Sequence, residues 1–306
     1  MLGWLARNGR LVLVAGLVIG IAVPALARAM QPMIVPLIAM MLFLATLRIG
    51  TVAARPRPRD VPLHLGTAVL FQTVMPLAAL AVLTLFGWQD SIVGLGVVLA
   101  LAASPITGSP GLAILSGADP MPALRAVVVG TALLPLTVLP VFWFMPIFPD
   151  PAATLIAAGR LLAIIVIACG GALVVRRALP GLREPRAQAG IDGLMALSMG
   201  VVVIGLMSAV GPALMAGDPA LWWILGLVLV LNFSTQLVVW AAFRGAGAGM
   251  AAPSMAIVAG NRNLALFLAA VPPEMAEDLL LFLGCFQIPM YLTPLTLARL
   301  YARAGP

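Results

Sequence analysis

Two apolar stretches of this chain are each interrupted by residues able to bind an ion or a charged organic group. The first interruption is Ser104-Pro105-Ile106-Thr107-Gly108-Ser109-Pro110-Gly111; the second is Pro253-Ser254 followed by Gly260-Asn261-Arg262-Asn263. A helix broken inside hydrocarbon leaves backbone N–H and C=O groups without partners, which is tolerated only where the break is buried in protein or lines a wet cavity. The half-helices so produced carry partial charges at their inner ends. Those with free N–H groups attract anions and those with free carbonyls attract cations. Two inverted breaks meeting near mid-membrane would therefore make a combined substrate and ion site.

In the first break Ser104 and Pro105 should end one half-helix. Thr107 and Ser109 offer hydroxyls, and Pro110 suits the first turn of the next half-helix because its missing N–H needs no partner there. In the second break Gly260 ends the helix, and Asn261, Arg262 and Asn263 put two amides and a guanidinium where apolar residues belong. A charge at bilayer depth costs from about 2.5 to over 10 kcal/mol unless it is paired or wet, so it is read first as functional. The competing reading is a shallower break from which Arg262 snorkels to the interface. The helices preceding the breaks also carry polar residues. One has Gln72-Thr73 before Met75-Pro76, and the other has Asn232, Ser234, Thr235 and Gln236. Either they bind neighbouring helices, or Gln72, Asn232, Thr235 and Gln236 line the same site.

The elements that must hold these residues are membrane helices. Hydrophobic residues make up 63% of 306 positions and charged residues 9%, with a mean hydropathy of +1.14, a composition outside the range of soluble domains. At about 20 apolar residues per crossing, the sequence divides into ten spans: 11–29, 32–50, 63–86, 91–117, 122–147, 153–178, 190–214, 220–243, 248–272 and 276–299. The fourth and ninth are the broken ones. That pattern predicts an all-α membrane protein of two five-span repeats, 1–148 and 149–306, inverted relative to one another because five is odd.

Charge sidedness agrees with this count. All the basic residues are Arg. Arg7, Arg10, Arg48, Arg55, Arg57, Arg59, Arg125, Arg176, Arg177, Arg183, Arg186, Arg244, Arg299 and Arg303 flank one alternate set of loops and both termini. The positive-inside rule makes that side cytoplasmic, in an inner (plasma) membrane. Arg28 and Arg160 fall on the other side with Asp90, Asp150, Asp218, Glu274, Glu277 and Asp278. The first span, with Ala25-Leu26-Ala27 near its end, imitates a signal peptide, but retaining it keeps both termini on the Arg-rich side.

With nearly the whole chain in or beside the bilayer there is no room for a soluble catalytic or nucleic-acid-binding domain. Cys169 and Cys285 lack redox or metal-ligand spacing. The sole His, His64, has no carboxylate near it inside the membrane, so an enzyme is not expected.

At the early stretch Pro36-Leu37-Ile38-Ala39-Met40-Met41-Leu42-Phe43-Leu44, at Gln72-Thr73-Val74-Met75-Pro76, at the Pro/Gly-rich fourth span with Gly117-Ala118-Asp119, and at Gly260 to Asn263, the chain resembles the bile acid:sodium symporter superfamily. The resemblance runs along almost the whole chain. It implies a core domain of spans three to five and eight to ten, a panel domain of spans one, two, six and seven, and a substrate between them. It also implies departures. Val258 and Arg262 stand where sodium-using relatives carry Glu and Gln, Pro110 where Asn is usual, and Ala123 and Val127 where the fifth span has hydroxyls. A residual sodium site would draw on Gln72, Ser109 and Asn263. Sodium coupling is therefore expected to be reduced or lost, with Arg262 either supplying the positive charge permanently or binding an anion directly. The function so implied is alternating-access transport of a small organic anion, bile-acid-like or another carboxylate, with no other cofactor. The alternatives are a non-transporting sensor or assembly subunit on the same fold, and an arsenite-type exporter, which would carry a Cys at the first break.

Overall fold

A computed structural model describes residues 4–5, 8–53, 61–148 and 150–302, the side chains of 10 and 50–53 excepted. Arg7, Arg55, Arg57, Arg59 and Arg303 of the charge pattern lie outside these. Among the described residues the fold is helical and has no strands. Six helices are long and apolar enough to cross a membrane: α2 (Pro24–Ile49), α3 (Val61–Leu85), α6 (Pro120–Phe144), α7 (Pro151–Ala178), α8 (Pro185–Leu206) and α10 (Pro219–Gly245). Between and around them run α1 (Gly9–Ala22), α4 (Ile92–Ala102), α5 (Ser109–Leu115), α9 (Val210–Met215), α11 (Ala252–Gly260), a 3-10 turn (Leu264–Ala269), α12 (Pro273–Asp278), α13 (Leu280–Thr296) and α14 (Ala298–Ala302).

Sequence chemistry sets many of these limits. Asp119, Asp150 and Asp218 each precede a proline and cap the following helix, accepting from the backbone N–H of Met121 (2.9 Å), Ala153 (2.7 Å) and Ala220 (2.9 Å). Aspartate in that position satisfies a free N–H and opposes the positive helix end, so these acids serve helix starts. The first helix ends at Ala22 and α2 begins at Pro24. The expected turn near residue 30 thus falls earlier, because Pro24 cannot continue a helix but starts one readily. Pro76 has no N–H for the Gln72 carbonyl, and there the helix widens into a π turn over Leu70–Val74.

The helices form two groups. In one, α8 packs along α1 and α2, and α7 packs on α2, around a small core of Leu44, Leu47, Ala172 and Ile191. The ends of these helices are tied by an Arg48–Asp192 ion pair at 2.8 Å and by a hydrogen bond from Arg176 to the Leu47 carbonyl. In the other group, α10 packs on α11 and α13, and α6 packs on α3, α5 and α11. A large apolar core joins the two groups, with Ile34 and Ile38 of α2, Leu161 of α7 and Leu206 of α8 meeting Leu264, Phe267, Leu283 and Phe286.

Candidate functional site

Both predicted breaks are present, and they meet. The first half-helix, α4, stops at Ala102. Ala103 is extended (φ −61°, ψ 152°), the next residue Ser104 is steered away from helix by Pro105, and α5 restarts at Ser109-Pro110 with Pro in its first turn. The second, α11, stops at Gly260 and is followed by extended Asn261. Between them the two chains run antiparallel as a short bridge at Pro105 and Arg262. Ile106 N–H donates to the Asn261 carbonyl at 3.0 Å, and Asn263 N–H donates to the Ser104 carbonyl at 2.8 Å. Two interrupted helices have thus paired the backbone groups that their interruption freed.

Arg262 closes this junction. It is 1% exposed, so it does not snorkel. Its Nε donates to the Ala259 carbonyl at 2.8 Å and its Nη1 to the Ala103 carbonyl at 3.0 Å. Each carbonyl belongs to the C-terminal end of a different half-helix. Each such end carries roughly −0.5 charge, so the two together approximately offset one guanidinium without any carboxylate. The guanidinium also lies 5.0 Å from the centre of the Phe71 ring, and Nη2 has no protein partner. Gly260 is small by necessity, because a Cβ there would stand 2.4 Å from Gln236 Cγ and 2.9 Å from the Asn232 carbonyl.

The other candidate residues fall into two sets. Arg262, Thr107 and Asn263 line a cleft between the two helix groups, together with Ile38, Met41, Val202 and Leu206 on one wall and Gln287, Met290 and Tyr291 on the other. The cleft volume is about 60 Å³, room for a few waters but far below the roughly 300 Å³ at which organic-ligand sites begin. Ser109 sits beside this cleft, fully buried and with its Oγ unpartnered, as does Ser104. Pro105 packs against α6, its Cδ lying 3.0 Å from where a Cβ on Gly130 would be. Pro110 is half-buried.

Gln72, Asn232, Gln236 and Asn261 bind the protein itself. Gln72 donates to the Gly130 carbonyl at 3.0 Å and accepts from Thr137 Oγ1 at 2.6 Å, fastening α3 to α6. Asn232 donates to the Gly260 carbonyl at 2.6 Å and accepts from Gln236 Nε2 at 2.6 Å. Gln236 also donates to Thr293 at 3.0 Å and accepts from Tyr301 at 3.1 Å. Asn261 donates to the Ile257 carbonyl at 2.8 Å. Thr235 and Asn232 face a void of about 10 Å³ behind Arg262, the size of one water at most. The residues of the residual sodium set are thus divided: Asn263 at the cleft, Ser109 beside it, Gln72 engaged with α6. Gln287 and Tyr291 are also on the cleft wall, and the sequence does not mark them. A lone amide and a lone phenol in an apolar helix give no signal beyond their polarity. No protein-family model matches this chain, and no characterised protein matches its sequence.

Proposed function

We propose that this chain is a secondary transporter that carries a small organic anion across the membrane by alternating access. The group α1, α2, α7 and α8 acts as a panel that moves against a core of α3–α6 and α10–α14. The observation that carries this reading is the antiparallel contact of the two broken segments at Pro105 and Arg262, with the cleft between the two groups opening beside it. Broken backbone at membrane depth is costly to keep, and a static anchor has no use for it. Ten crossings follow if α4 with α5, and α11 with the 3-10 turn, each count as one interrupted span. The turns before the two breaks close alike, as do the turns at Gly117 and Gly217. After α3 the Trp88 N–H returns to the Leu83 carbonyl at 2.8 Å, and after α10 the Ala248 N–H returns to Phe243 at 2.9 Å. Both turns pivot on a glycine of positive φ, Gly87 and Gly247, which is the Schellman closure.

In this reading Arg262 takes the place of a mobile coupling cation, its charge already spent on the two half-helix ends, and transport does not require sodium. The resemblance to the bile acid:sodium symporters supplies the substrate class, a bile-acid-like or smaller carboxylate. The test is counterflow of labelled cholate and of shorter carboxylates into proteoliposomes, with and without a sodium gradient. Saturable counterflow independent of sodium is expected. Uptake that collapses without the gradient would refute the cation-free version, and binding without counterflow would identify a sensor instead.

A further inference from the structure

A second cavity lies on the same seam as the cleft. It has a volume of about 320 Å³ and is lined by Gln31, Ile34 and Val35 of α2, by Arg160 of α7, and by Leu268, Ala269, Glu277 and Leu280 on the opposite wall. The two cavities share their walls one turn apart. Along α2 the lining passes from Ile34 to Ile38 and Met41, and along the 3-10 turn from Leu268 and Ala269 to Leu264 and Ala265. Ile34 of the second cavity and Ile38 and Leu264 of the first are buried in one apolar core together with Leu283.

Arg160 gives this chamber its chemistry. Counted with the outer-side charges in the sequence, it lies within α7, nine residues after Pro151, and is exposed. At 1.5 Å per residue that is about 13 Å along a helix about 42 Å long. If α7 is centred on a hydrocarbon layer of about 30 Å, Arg160 lies about 7 Å inside it. Among the described residues its guanidinium has no hydrogen bond and no ion pair, although Glu277 lines the same chamber. Arg160 is exposed and is left unpaired by the protein, so its guanidinium takes a partner from outside the protein, either a ligand in the groove or a lipid headgroup reached by snorkelling.

We infer that the chamber is a second oxyanion site, in which Arg160 holds the carboxylate of a small organic acid on the same seam as the Arg262 cleft. Its volume admits an organic anion where the inner cleft admits only water. The inference deepens the transport reading by giving the anion a waiting place beside the inner cleft, and it rests on that reading for the anion's passage inward. Guanidinium recognises carboxylate and phosphate alike, so a lipid phosphate is the rival source of the same group.

Binding distinguishes these. The whole protein in phosphatidylcholine nanodiscs is titrated with benzoate, and with benzamide as its uncharged counterpart. Losing one charge-assisted contact weakens binding by about tenfold or more. Arg160→Gln is therefore expected to weaken benzoate at least tenfold and leave benzamide unchanged, Arg160→Lys to fall between, and Glu277→Gln to tighten benzoate. Wild-type affinity for benzoate in Arg160→Gln, or no measurable benzoate binding to the wild type, would overturn the inference. So would benzoate binding to the wild type that disappears when phosphatidylglycerol replaces phosphatidylcholine, because the site would then be a lipid's. Arg160-dependent binding without counterflow of the same anion would leave the site standing while refuting transport.

Discussion

Replacing Arg262 by alanine removes two charge-assisted hydrogen bonds, to Ala259 and to Ala103, worth about 1.5–3 kcal/mol each. Against that loss of about 3–6 kcal/mol stands the relief of burying a guanidinium at membrane depth, about 2.5–3.5 kcal/mol on the insertion scale. Two buried carbonyls and two half-helix ends of like sign are left facing each other, so the net destabilisation should be about 1–3 kcal/mol. The variant should melt several degrees below the wild type when unfolding in detergent is followed by tryptophan fluorescence. The vacated space has the shape and polarity of a guanidinium ion. Millimolar guanidinium, far below denaturing concentrations, should restore stability selectively, since a ligand at ten times its dissociation constant contributes about 1.4 kcal/mol. Choline should not. Arg262→Lys keeps the charge but lacks a fork that can reach two carbonyls, and should fall between. The reasoning fails if Arg262→Ala melts with the wild type, or if guanidinium and choline shift both proteins equally.

Gly260→Ala should destabilise by about 1–3 kcal/mol, the usual cost of overpacking, because the added methyl meets the Asn232 backbone carbonyl at 2.9 Å, which cannot rotate away; thermal melting reads it. Gln236→Leu strands the groups of Asn232, Thr293 and Tyr301 that it now pairs and should cost about 1–3 kcal/mol in the same assay, while a neutral outcome would mean water replaces the amide. Cysteines at Ile38 and Ala265, on facing walls of the cleft, joined by a short bifunctional thiol reagent, should stop counterflow, and undiminished flux after cross-linking would rule out movement across this seam.

The two breaks were legible because backbone rules announce them: two prolines, two glycines and three hydroxyls within eight positions leave no regular helix, and Gly-Asn-Arg-Asn does the same in the second half. Arg262 was legible as a buried charge for the same reason. Facing was not. Helices such as α4 and α11 are apolar nearly all round, so no stripe says which side meets protein and which meets lipid. Asn232 and Gln236, four residues apart on α10, could equally have pointed into the cleft; they turn out to serve the Gly260 carbonyl and Tyr301. The setting of Arg160 was hidden differently. Charge sidedness assigns a residue to one membrane face from its nearest loop, and although the span 153–178 already contains Arg160, nothing in the sequence says that it lines a groove together with Glu277.

Arg262 and Arg160 have opposite electrostatic settings, and the difference follows from their partners. The guanidinium of Arg262 meets the carbonyl ends of two half-helices, an approximately neutral arrangement that needs no anion and is fixed by hydrogen bonds. The guanidinium of Arg160 meets none, so its charge remains available to a ligand. In the transport reading the available positive charge is then at Arg160 and the structural cation at the crossover. Substitutions at Arg160 should then alter apparent affinity for the anion with little effect on melting, and substitutions at Arg262 should do the reverse. If both positions lower stability alike and neither changes affinity, the division of labour between them is wrong.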